Sequence, residues 1–305
     1  MEHKKFVCLF AGQGSQYIGM GKDFYDNYDY VRTLYDEASS ILGYDIAKIC
    51  FEENENLNQT IYTQPAVVLT TIAIYEVARR EYGINPTVVA GFSLGEYAAL
   101  YAAGIFSFKD ILYLINNRAH LMDREAIENP GSMAAIIGMD RDVLNDICNE
   151  VGNVVIANYN SSNQLVISGL KEAVNNACEI AKTKGAKRAI PLNVSGAFHS
   201  FLMHNAAIEM GMVINKVSHN QPNVDIVMNV TARPLIIDNL FELMMKQIES
   251  PVYWEDSIKY IIENYDIDTF IEFGPGNVLS GLMRKIDSSK QTYNISKIEE
   301  LNILK

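Results

Sequence analysis

The sequence predicts an α/β chain in which a parallel sheet carries an inserted ferredoxin-like unit, and three observations point that way. Apolar, β-branched runs at 6–11 and 87–92 alternate with stretches of helical periodicity, the pattern of parallel strands covered by helices on both faces. From 128 to 198 the order changes to strand, helix, strand, strand, helix, strand, which is βαββαβ. Beyond 198 the alternation resumes. The larger unit is therefore expected to be discontinuous, 1–127 with 199–305, around an insert of 128–198.

In chain order, FVCLFA at 6–11 reads as a buried strand and GQGSQ at 12–16 as the loop after it. Helical segments continue to about residue 80. TVVAGF at 87–92 is a second buried strand, and GEYAALYAAG at 95–104 is a helix that stops at Gly104, because glycine tolerates the turn past a helix end. Ile111, Leu114, Ile115, Leu121 and Met122 recur at helical spacing. The turn ENPGS at 128–132 opens the insert, with strand 133–138, helix 140–151, strands 154–160 and 164–169, helix 171–185 and strand 188–194. A helix over 201–217, a strand over 225–230, helices near 239–249 and 254–265 and a strand over 269–273 follow. GPGNVLSGLMRKI at 274–286 reads as a glycine loop and a terminal helix.

Composition narrows the function. The 305 residues are 49% hydrophobic and 20% charged, enough apolar material for a sizeable core. A formal charge of −12 argues against nucleic acid or an anionic membrane as partner, so an anionic ligand must be met locally. Cys8, Cys50, Cys148 and Cys178 are far apart without a CxxC pair, which argues against a zinc site or a disulfide framework and fits a reducing cytoplasm. The apolar run near the N-terminus is short for a signal sequence, and no stretch reads as long and uncharged enough to span a bilayer. The expectation is a soluble cytoplasmic protein.

Gly91-Phe92-Ser93-Leu94-Gly95 places G-x-S-x-G between a strand and a helix. Small residues at both ends permit the sharp turn that exposes a nucleophilic serine, and the helix N-terminus favours developing negative charge. A serine needs a base, and histidine is the usual one. His3 lies near the terminus, His219 in a polar loop and His204 within a helix, whereas His199 sits at the return from the insert, where a cleft between units would form. Spacing alone leaves His199 and His120 both open. No acid stands out as a third triad member. Glu96, in the first turn of a helix, reads as a dipole partner, and the orienting role is left to a backbone group.

The loop GQGSQ lacks the third glycine of a dinucleotide fingerprint, since Tyr17 occupies that position, and Gly19 is followed by Met20 where a phosphate-binding loop needs lysine. Its remaining use is as a donor loop. The backbone N–H groups of Gln13 and Leu94 are the candidate oxyanion hole.

Taken together, GQGSQ, TQPA at 63–66, GFSLGEYAAL, the helix with Arg118 and Met122, GSMAAIIG, NSSNQLVISG, NVSGAFHS, QIESPVYW and EFGPGNVLSGL resemble the malonyl-CoA:acyl carrier protein transacylase family, which includes polyketide synthase acyltransferases. The matching segments span nearly the whole chain in the family's order. The resemblance implies an α/β-hydrolase-like catalytic domain with a ferredoxin-like insert, and it selects His199 as base for the Ser93 nucleophile. It implies that the backbone carbonyl of Gln247 orients the imidazole and that Arg118 pairs with the malonyl carboxylate, with Met122, Gln64, Phe198 and Asn160 lining the substrate site. It also implies ping-pong transfer from malonyl-CoA to the phosphopantetheine thiol of holo acyl carrier protein, by a monomer with no metal or redox cofactor.

Phe92 departs from the histidine common before the family's serine, and Ala119, Ala11 and Ser162 are smaller departures. Phe198 before His199 resembles malonyl-selective members, while SGAFHS also resembles free-standing enzymes of polyketide assembly, so both fatty acid and polyketide roles stand. Carrier proteins are typically acidic, as is this chain, which directs attention to the basic clusters Lys182, Lys184, Lys187, Arg188 and Arg284, Lys285. Rival readings are an acyl-thioester hydrolase on the same dyad and an idle carrier-binding module. The intact set of Ser93, His199 and Arg118 speaks against the second.

Overall fold

The structure, a computed structural model, describes residues 5–305. His3 lies outside the described residues. β1 (Phe6–Phe10) leads through a glycine loop into short helices α1 (Lys22–Asn27), α2 (Asp29–Leu42) and α3 (Ile46–Phe51), then the long α4 (Thr60–Tyr82). β2 (Val88–Gly91), α5 (Gly95–Ala102) and α6 (Phe108–Glu128) follow. The next segment is β3 (Ser132–Ile137), α7 (Arg141–Val151), β4 (Val154–Ser161), β5 (Gln164–Gly169), α8 (Lys171–Thr183) and β6 (Arg188–Pro191). The chain closes with α9 (His204–Ile214), β7 (Asp225–Met228), β8 (Arg233–Pro234), α10 (Leu240–Lys246), α11 (Trp254–Tyr265), β9 (Thr269–Phe273), α12 (Val278–Ile286) and β10 (Gln291–Ile295).

Two sheets result. The larger has the order β10-β9-β1-β2-β7-β8, parallel throughout except for β8. Its two faces follow the period of two along each strand: Val7 and Leu9 join the cluster around Trp254, Ile258 and Met283, while Cys8 and Phe10 join the cluster of α4 and α5. The smaller sheet is antiparallel in the order β4-β5-β3-β6, with α7 and α8 packed on Ile136, Ile156 and Ile167. This is the ferredoxin-like arrangement expected from βαββαβ. The sheets are tied together by a parallel bridge between Asn158 and Val252 and by a bidentate pair of Arg141 with Asp256, both N···O distances 2.9 Å.

Three details differ from the sequence reading. The helix α12 is not terminal, because β10 and a 3₁₀ segment (Ile298–Leu304) follow it. β10 is an edge strand whose alternate residues face solvent, so it needs no apolar run to form. The strand predicted over 188–194 stops at Pro191, which has no N–H to donate to the ladder. Finally, α4 is by length and composition long and apolar enough to cross a membrane. It is instead a core helix, 89% of its most apolar window being buried within the fold.

The register Phe10↔Gly91 and Ala90↔Val227 brings the carboxyl ends of β1, β2 and β7 to one level. In open parallel sheets that edge is where ligands bind. The packing there leaves no room for side chains on two glycines. A Cβ on Gly95 would lie 2.1 Å from the Phe10 carbonyl oxygen, and one on Gly91 2.0 Å from that of Gly95. Gly95→Ala is therefore expected to destabilise the protein by about 3 kcal/mol, since only backbone can give way. Gly281→Ala, in α12 with nothing within 4 Å, should raise stability by about 0.5–1 kcal/mol. Urea unfolding of both variants checks the contrast.

Candidate active site

Ser93 stands on the turn between β2 and α5 with a φ of 49°, a left-handed conformation that a residue with a side chain rarely adopts. Two contacts pin it there. Its N–H donates to Asn229 Oδ1 at 2.7 Å, and the Asn229 amide donates in turn to the Gly91 carbonyl at 2.7 Å. Asn229 follows β7, the strand neighbouring β2, so sheet order delivers it to the turn. The serine side chain is thereby held outward at the head of the helix.

His199 approaches from the segment between β6 and α9, also at positive φ, 56°. Its Nε2 lies 2.7 Å from Ser93 Oγ, and its Nδ1 lies 2.8 Å from the carbonyl oxygen of Gln247 and 3.1 Å from that of Ser250. Carbonyl oxygens only accept, so Nδ1 carries the proton and Nε2 is free to accept one from the serine. Burial, together with the nearby Arg118 cation, lowers the imidazole pKa to about 4. The ring is neutral, and ready as a base, throughout the neutral range.

Arg118, on α6, is 1% exposed. One terminal nitrogen donates to Gln64 Oε1 at 2.8 Å, the other to Gln247 Oε1 at 3.1 Å and, more weakly, to Ser93 Oγ at 3.4 Å. Its Nε is buried without a partner, and no salt bridge to a carboxylate forms among the described residues. Burial lowers its pKa, yet an arginine stays charged. A buried cation held by two neutral amides beside a serine hydroxyl has the chemistry to receive an anion.

The remaining expected residues distribute as follows. Gln64 also donates to Met122 Sδ at 3.6 Å, so Arg118, Gln64 and Met122 form one cluster. The Gln13 loop packs on the turn, since a Cβ on Gly12 would lie 2.6 Å from the Phe92 carbonyl. The N–H groups of Gln13 and Leu94 take no internal partner among the described residues. Asn160 on β4 is buried with its Oδ1 unpartnered, and Phe198 is buried in the core beside His199. Neither hydrogen-bonds to Ser93, His199 or Arg118 among the described residues. His120 is exposed on α6, hydrogen-bonded to Asn116 O, and His204 and His219 lie away from the dyad.

Reading the sequence missed Asn229 and the side chain of Gln247, and it took Glu96 for a dipole partner. Glu96 is in fact buried, accepting from Asn229 N at 2.6 Å and Gln247 Nε2 at 3.1 Å. An asparagine just past a strand end in MNV was the available signal for the first. Of the basic cluster, Lys182 pairs with Glu179 at 2.7 Å and Lys184 with Glu150 at 3.3 Å. Lys187 and Arg188 are exposed with no carboxylate partner among the described residues.

A family profile described as acyl transferase domain matches residues 6–301. The malonyl CoA-acyl carrier protein transacylase of Bacillus subtilis is 42% identical over 98% of this chain and 96% of its own length. The chain belongs to the malonyl-CoA:acyl carrier protein transacylase family. Its counterpart from Escherichia coli K12 is 39% identical over 92% of this chain and 93% of its own. Among solved structures of this transacylase family, the Streptococcus pneumoniae enzyme superposes with a TM-score of 0.94 at 40% identity, covering 98% of this chain and 99% of that one. A malonyl-transacylase solved in complex with a type II polyketide synthase acyl carrier protein gives 0.95 at 35% identity, covering 99% of each chain.

Phe92, the departure from the family's usual histidine, packs edge-on against Trp254, ring centroids 5.5 Å apart. It makes no hydrogen bond to the dyad that a ring nitrogen would have to replace. Phe92→His is expected to keep malonyl transfer within about fivefold, because an aromatic edge contact is worth about 1 kcal/mol. Steady-state rates of the variant check this, and loss of activity to background would contradict the packing.

Proposed function

We propose that the protein transfers a malonyl group from malonyl-CoA to the phosphopantetheine thiol of holo acyl carrier protein, for fatty acid synthesis, through a malonyl-Ser93 ester. The observation that carries the reading is a neutral histidine 2.7 Å from the serine, with a buried arginine that has no carboxylate partner among the described residues 3.4 Å from the same oxygen.

Ser93 Oγ attacks the thioester carbon as its proton passes to His199 Nε2. The imidazolium is stabilised by the carbonyls of Gln247 and Ser250, which accept from Nδ1. The tetrahedral oxyanion is met by the N–H groups of Gln13 and Leu94, and the carbon–sulfur bond breaks with the imidazolium proton going to the departing CoA thiolate. The carrier thiol then gives its proton to His199 and attacks the ester, and Ser93 leaves by taking that proton back. Arg118, its guanidinium aimed by the Gln64 and Gln247 amide oxygens, holds the distal carboxylate of the malonyl group in two further hydrogen bonds, in a site lined by Gln64, Met122, Phe198 and Asn160. The catalytic unit is 1–127 with 199–305, and 128–198 is the inserted ferredoxin-like unit, which contributes Asn160 from β4. No metal or redox cofactor has a part in these steps.

The carrier protein docks on the basic edge of the small unit. Lys187 and Arg188, which have no carboxylate partner among the described residues, contribute most there, and Lys182 and Lys184 less. Reversing the charge of Lys187 and Arg188 should raise KM for the carrier protein roughly threefold to tenfold and leave KM for malonyl-CoA unchanged. Steady-state titration with each substrate reads the difference.

Intact-protein mass spectrometry tests the reaction. Brief exposure to malonyl-CoA should add one malonyl group, which holo carrier protein then removes, and Ser93→Ala should add none. Arg118→Ala should lower malonyl loading by roughly a hundredfold or more while sparing acetyl loading, as a charge-assisted bidentate contact is lost. An adduct that decays to water equally fast without carrier would identify a hydrolase instead. No adduct from any acyl-CoA would identify an idle binding module.

A further inference from the structure

The side chain of Glu96 is engaged twice, and both partners belong to the catalytic cluster. One oxygen accepts the N–H of Asn229, the residue that fastens the strained turn at Ser93. The other accepts from Gln247 Nε2, which also donates to the Ser93 carbonyl at 2.8 Å. Both neighbours of that nitrogen are acceptors, so the amide of Gln247 has one permitted orientation, with Oε1 turned to Arg118 at 3.1 Å. The main-chain carbonyl of the same glutamine holds His199. Glu96 therefore stands behind the arginine, the histidine and the serine turn at once.

We propose that Glu96 is a positioning residue whose carboxylate fixes the Gln247 amide, so that Arg118 presents its guanidinium to the acyl carboxylate and the site prefers malonyl over uncharged acyl groups. The proposal rests on the malonyl-serine reading given above. It makes a distinction that charge alone would not. In Glu96→Gln the short contact to Asn229 N keeps the new side chain's oxygen on that side, so its NH₂ faces the Gln247 NH₂. Two donors cannot face each other. Because the Ser93 carbonyl still requires a donor at that nitrogen, the Gln247 amide cannot turn over and is instead pushed away from position 96, which draws its Oε1 off Arg118.

Protonation of Glu96 has the same effect, since both oxygens already face donors and an added proton has no acceptor. Burial raises this carboxyl to about 7. Arg118, on α6, is the charged group set against it, Tyr97 on its own helix is pushed up to about 12 and stays neutral, and His199 titrates well below the range in question. A raised carboxyl is ionised above its pKa, so the malonyl preference should be full above about pH 8 and decline as pH falls through about 7.

The experiment measures Ser93 acylation by malonyl-CoA and by acetyl-CoA in the full chain, with Ser93→Ala as control. Glu96→Gln should lose roughly tenfold or more in malonyl loading, with a smaller loss in acetyl loading and an unchanged thermal melt. Glu96→Asp, which keeps the charge, should recover part of the ratio. Equal malonyl-to-acetyl ratios in Glu96→Gln and the unaltered protein would overturn the proposal. Should Glu96→Gln not accumulate as folded protein, the unaltered protein decides by its ratio between about pH 5.5 and about pH 8.5. A decline toward acid supports the proposal, and a flat ratio overturns it. Acylation that persists in Ser93→Ala would instead defeat the underlying serine reading, so the two failures are distinguishable.

Discussion

The site depends on one backbone constraint, the left-handed turn at Ser93. A φ of 49° on a residue with a Cβ costs on the order of 1–3 kcal/mol, and it persists because surrounding groups over-determine it. Gly91 and Gly95 let α5 press its first turn against the ends of β1 and β2 with no side chain between them. Asn229 binds both the Ser93 N–H and the Gly91 carbonyl, closing the turn from the neighbouring strand. The direction of the Ser93 side chain is thus set by sheet order and by two absent side chains.

Electrostatics then divides the labour around that oxygen. The Arg118 cation is buried with no counterion among the described residues, an expensive arrangement unless an anion arrives, and its field helps to hold His199 neutral. The histidine is oriented by carbonyl groups rather than by a carboxylate. A carboxylate touching that imidazole would favour its protonated form and offset the Arg118 cation. The acid that is present, Glu96, reaches the dyad only through Asn229 and Gln247, one amide away from the arginine.

Much of this was legible in the chain. The alternation of apolar strands with helices and the βαββαβ interval carry the architecture, since burial of β1 and β2 on both faces demands continuous apolar runs. Ser93 was legible because its turn needs glycine at fixed positions. The base was not, on spacing alone: His120 and His199 are equal as letters, and exposure on α6 against burial beside Ser93 separates them. β10 escaped notice because an edge strand tolerates polar residues on its open side.

Local periodicity and steric rules act over a few residues, and so the sequence specified the strands, the helices, the inserted unit and the sharp turn at Ser93. Contacts that cross the fold obey no such spacing. Ser93 and Asn229 are 136 residues apart, and Glu96 and Gln247 are 151 apart. Their meeting follows from which strand lies beside β2 and from where α10 ends, which are properties of packing rather than of any local pattern. The fold therefore assigned the partners of Glu96, the orientation of the Gln247 amide and the proton on His199, because each is fixed by hydrogen bonds that exist only once the chain has closed.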